Sequence, residues 1–132
     1  MHIFKFLILL LSINLNCCGL NPCTEEDVFR QTSPDNLVDV IVINRNCGAT
    51  TSISNSVYIV PKGELTDKYR PVFVADHVVN LKVKWLKSKF LVISYAEARI
   101  FEFTNFWNSR YIENFMYEVR IKEIQIDTIL RK

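Results

Sequence analysis

Ser33-Pro34-Asp35-Asn36-Leu37-Val38-Asp39-Val40-Ile41-Val42-Ile43-Asn44-Arg45-Asn46-Cys47-Gly48-Ala49-Thr50-Thr51 is the stretch whose reading decides the fold. Its opening residues make a β-turn, because proline fixes one backbone dihedral and Asp and Asn side chains bond their own backbone. Residues 37–44 are β-branched almost throughout, and Val40-Ile41-Val42-Ile43 has no polar interruption. A strand of that kind is buried on both faces, which places it in the interior of a sheet. The small, hydroxylated corner that follows, residues 47–52, contains Gly48, free to take dihedrals that other residues avoid.

Downstream of this stretch the same logic repeats. Residues 56–60 put Val57 and Ile59 on one face and Tyr58 and Val60 on the other, and Pro61-Lys62-Gly63 stops them. A third strand is expected at 71–76, opened by a proline where proline is tolerated. At 81–85, Leu81, Val83 and Trp85 alternate with Lys82 and Lys84, apolar inward and lysine outward, and Lys87-Ser88-Lys89 turns the chain back into 90–95. Residues 99–106 alternate with Phe101 and Phe103 inward and Glu102 and Thr104 outward, and 105–114 reads as a loop. In 116–126 the phase changes, from odd Val119 and Ile121 to even Ile124 and Ile126, which predicts a bulge at Lys122-Glu123. A helix competes for 111–132, but β-branched residues favour the strand. Seven short strands with no long helix predict an all-β domain: a single antiparallel sheet, meander-like, folded into a small sandwich or partial barrel.

The amino-terminal end has a different character. One lysine, Lys5, precedes the wholly apolar run from Phe6 to Leu11, about half of the ~20 residues that cross a bilayer as a helix. Residues 1–17 are therefore expected to be an export signal. A cysteine just after such a run receives diacylglycerol in bacterial lipoprotein processing, and Cys18, followed by Gly19, is the expected attachment site, with Cys17 as the alternative. Residues 18–32 then read as a polar tether and 33–132 as one β domain. Two acyl chains or more anchor stably. The expected location is the cell envelope, lipid-anchored to a bacterial membrane, with a soluble periplasmic or secreted form as the alternative.

The other two cysteines, Cys23 and Cys47, would face an oxidising compartment after export, and a disulfide between them is expected. No Cys-x-x-Cys or His-x-x-x-His spacing occurs, so neither a metal site nor a cofactor is expected. The formal net charge is only +2, which argues against nucleic acid as a partner.

The turn Ser33-Pro34-Asp35, the corner Cys47-Gly48-Ala49-Thr50-Thr51 and the strands at 72–76, 83–85 and 91–95 resemble those of a group of small uncharacterised bacterial envelope proteins. That resemblance implies a β fold and an envelope location and brings no activity with it. The Ser-Pro-Asp turn before a meander is also weakly similar to one blade of a β-propeller.

No acid–base pair can be assembled from the spacing of the carboxylates, and no catalytic residue is assigned. The expected role is a non-enzymatic binding or interaction module with a protein or envelope component as partner, in addition to the membrane reached through the lipid anchor. Its expected surfaces are the lysine hairpin, Lys82, Lys84, Lys87 and Lys89, and the aromatic loop, Phe106, Trp107 and Tyr111. An inhibitor or immunity protein against an exported enzyme or toxin is the alternative within binding proteins. The alternative of another class is a cysteine-dependent hydrolase with Cys47 as nucleophile and His77 as base, against which stands the opposite facing of neighbours such as Asp76 and His77 in a strand.

Overall fold

The structure is a computed structural model that describes residues 23–126. The expected signal, Cys17 and Cys18 and the first part of the expected tether lie outside the described residues. Among the described residues no helix is long and apolar enough to cross a membrane.

The chain is all-β, as its periodicity dictates. Among the described residues nine strands run β1 (Thr24–Thr32), β2 (Val38–Asn46), β3 (Ser54–Pro61), β4 (Phe73–Val79), β5 (Lys82–Lys87), β6 (Phe90–Tyr95), β7 (Glu97–Phe103), β8 (Phe106–Trp107) and β9 (Val119–Gln125). One sheet has the order β1-β2-β3-β4-β7 and the other β5-β6-β9-β8. Val40, Ile59 and Phe73 from the first sheet pack with Trp85, Leu91, Ile93, Val119 and Ile121 from the second in one core. The two layers thus form a sandwich, which is not closed into a barrel.

β2 sits in the interior of its sheet, as its unbroken apolar run requires. Its inner face, Val38, Val40 and Val42, belongs to the core between the sheets. Its outer face, Ile41 and Ile43, is covered with Val60 in a second cluster, against which Tyr58 and Tyr69 pack. Asp39, between two core valines, is 2% exposed and is satisfied by Arg30 (2.7 Å), by the Thr32 hydroxyl (2.6 Å) and by the Gly63 N–H (3.0 Å).

Several expectations are corrected. Residues 24–32, read as tether, are strand β1, paired antiparallel with β2 from Thr24↔Asn46 to Thr32↔Asp39. A polar strand with a hydrophobic neighbour forms because its partner supplies the burial; its own residues are mostly exposed. The meander is also interrupted. After β4 the chain crosses to the second sheet for the β5–β6 hairpin, returns to pair β7 with β4, and crosses again, so that β6 and β9 pair in parallel. Parallel neighbours need a long connection, and β7, β8 and the loop after them supply it.

β7 is an edge strand whose Phe101 (57% exposed) and Phe103 (38% exposed) are not inward. A register shift opposite Val74 and Ala75 breaks the alternation on which the inward reading rested. In β9 no bulge occurs at Lys122-Glu123, since the pairing with β6 runs unbroken from Arg120 to Gln125. Ile124 instead points away from the core and is 36% exposed, while Glu123 takes the inner position and accepts a hydrogen bond from Tyr95.

Candidate functional site

The mouth of the sandwich, between β1 and β5, is an open groove of about 740 Å³. Its floor follows from the inner face of β2, where Val38, Val40 and Val42 give way to Asn44 as the strand leaves the core. Asn44 pairs in register with Asn55 of β3, and the Asn55 amide donates to the Asn44 side-chain oxygen. One wall is Val28, Phe29 and Gln31 of β1. Consecutive residues such as Val28 and Phe29 face opposite ways in a regular strand. The register shift between Asp27 and Phe29 is a bulge at Val28 that lets both reach the groove.

The opposite wall is Leu81, Lys82, Val83 and Lys84, at and beside β5. The Trp85 indole N–H donates to the Gln31 carbonyl (3.1 Å) and ties the two walls together below the opening. Val28 and Phe29 are 46% and 40% exposed, so an apolar lining stands open to solvent under two lysines.

The four expected lysines do not form one face. Lys82 and Lys84 line the groove. Lys87 lies over the Phe90 ring (4.5 Å) and Lys89 over the Tyr117 ring (5.1 Å), where each is held against an aromatic side chain. The aromatic loop divides as well. Phe106 and Tyr111 are exposed, but Trp107 is 7% exposed and belongs to the core, with its ring 6.4 Å from that of Tyr69. Its assignment to a binding surface is therefore corrected: the two-residue strand β8 pairs Trp107 with Val119 and turns the indole inward.

Cys47 is joined to Cys23, with the sulfurs at 2.04 Å, one step beyond the Thr24↔Asn46 pair at the end of the β1–β2 ladder. The expected disulfide is present, and Cys47 in this form is not a nucleophile. His77 meets a different residue of the same corner. Its Nε2 lies 3.2 Å from Ser52 Oγ, and its Nδ1 lies 2.9 Å from Asp76 Oδ1.

Asp76 is 6% exposed and faces Arg99 across the β4–β7 ladder, with Arg99 Nε donating to Asp76 Oδ1 at 2.8 Å. The Arg99 guanidinium, and after it the His77 ring, hold the Asp76 carboxyl well below the usual carboxylate range. Ser52, His77, Asn44 and Asn55 line a second open cavity of about 380 Å³, which shares Asn44 and Asn55 with the groove.

Val28, Phe29, Ser52, Asn44 and Asn55 were not legible as site residues. The bulge in β1 and the left-handed dihedral of His77 (φ 50°) bring them into play, and neither leaves a mark in composition or period. Among the described residues no group of three or more His, Cys, Asp or Glu side chains could hold a metal ion. No protein-family model matches the chain, and no curated protein or solved structure shows significant similarity to it.

Proposed function

We propose that the chain is an exported, envelope-anchored binding module whose ligand site is the groove between β1 and β5. The observation that carries the reading is an open apolar cleft of about 740 Å³ under Lys82 and Lys84. That volume lies in the range of small-molecule clefts, roughly 300–1,000 Å³, which combine apolar walls with a few placed polar groups. The ligand it fits is an amphiphile, an acyl-type chain against Val28, Phe29, Val42, Leu81 and Val83 with an anionic group at the two lysines. Anionic amphiphiles are envelope components, which agrees with the location expected from the amino-terminal sequence.

A long-chain fluorescent fatty acid titrated into the purified protein tests this. Saturable binding is expected, weakened about tenfold, or about 1.4 kcal/mol, in a Lys82→Glu, Lys84→Glu double variant. Both lysines are exposed, so the fold survives the change. Absence of saturable binding, or equal affinity in the double variant, removes the groove as an anionic amphiphile site.

A further inference from the structure

We propose that Ser52, His77 and Asp76 act as nucleophile, general base and orienting carboxylate in the transfer of an acyl group from an ester to water. In a regular strand Asp76 and His77 would point to opposite faces. His77 instead takes φ 50°, and the β4–β7 pairing shifts between Asp76 and Val79. The shift turns the imidazole back onto its neighbour, and the corner after Cys47 brings the Ser52 hydroxyl to the other ring nitrogen.

The protonation pattern follows from the partners. Asp76 is ionised beside Arg99, so it accepts, and His77 Nδ1 must donate to it. In the neutral ring Nε2 then carries the lone pair and accepts the Ser52 proton. This is the relation of base to nucleophile and of carboxylate to base on which hydroxyl-based acyl transfer depends, and it is defined by geometry, not by order in the chain. Asn44 and Asn55 line the same cavity and carry amide N–H groups of the kind that stabilise an oxyanion.

The step balances without a cofactor. Ser52 Oγ bonds to the ester carbonyl carbon while its proton passes to His77 Nε2. Collapse of the tetrahedral intermediate breaks the bond to the alkoxy oxygen, which leaves as an alcohol with that proton. Water then attacks the acyl-serine, gives a proton to His77, and releases the carboxylic acid as Ser52 Oγ recovers its hydrogen. A preference for long acyl chains rests on the groove reading, because Asn44 and Asn55 are the shared boundary between the two cavities. The nucleophile itself does not rest on it.

The test is fluorophosphonate labelling of the disulfide-intact protein, read by intact mass and peptide mapping. One adduct is expected, on Ser52, absent in Ser52→Ala. Labelling should slow at least tenfold in His77→Gln, whose exposed side chain leaves the fold unchanged by circular dichroism. Labelling no greater than in Ser52→Ala, or a rate indifferent to His77→Gln, overturns the proposal. Hydrolysis of p-nitrophenyl acetate without hydrolysis of a long-chain p-nitrophenyl ester would support the nucleophile and overturn the acyl-chain preference.

Discussion

The Tyr117 hydroxyl donates to the Asp35 carboxylate, joining the turn before β2 to the segment before β9 across 82 residues of sequence. Tyr117 is 1% exposed, and Asp35 also accepts from the Ser33 hydroxyl, so the Ser-Pro-Asp turn is a clasp on the far end of the chain. Tyr117→Phe keeps the packing and deletes the donor to a charged acceptor, a loss of about 1.5–3 kcal/mol. Urea unfolding should show a lower midpoint at unchanged slope.

Reduction of Cys23–Cys47 opens a crosslink between residues 24 apart. Stability should fall by about 2–4 kcal/mol, read as a lower melting temperature in reductant and an equal lowering in a Cys23→Ser, Cys47→Ser variant. The corner bearing Ser52 is tethered at Cys47, so fluorophosphonate labelling should slow under the same conditions.

Acid should destabilise the fold through Asp39. Burial pushes its carboxyl up, but the Thr32 hydroxyl, the Gly63 N–H and Arg30 together outweigh burial and hold it below its ordinary value of 3.8. A carboxyl with a depressed folded pKa contributes stability that is complete above its unfolded value and is lost as pH falls through the folded one. Unfolding followed from neutral pH downward should therefore show a plateau above about pH 4 and a decline beneath it. Asp39→Asn should flatten that decline.

At the alkaline end Tyr95 behaves with the opposite sign. Burial and its hydrogen bond to Glu123 push the phenol up to about 12. Its contribution is complete below the ordinary value of 10 and is lost as pH rises towards 12. Tyr95→Phe should remove this part of the alkaline loss in a pH series of thermal melts.

Trp107→Ala empties a core position and should cost about 3–5 kcal/mol. Tyr111→Ala, at a side chain 58% exposed, should change stability by less than about 0.5 kcal/mol. Paired denaturation curves of the two variants distinguish the core aromatic from the surface one.

The sequence by itself determined the all-β class, the interior position of β2, the β5–β6 hairpin with its outward lysines and the pairing of Cys23 with Cys47. These rest on signals in the sequence itself: β-branched runs, a period of two, turn residues, and two cysteines downstream of the expected processing site. Tertiary structure alone decided that Thr24–Thr32 is a strand, that β6 lies parallel to β9, that Trp107 is core while Phe101 is surface, and that His77 reaches Ser52. Each depends on a partner distant in sequence or on a register shift of one residue. Such a shift reverses which face a side chain takes while leaving composition and propensity untouched, and so the groove and the Ser52–His77–Asp76 cluster exist only in the folded chain.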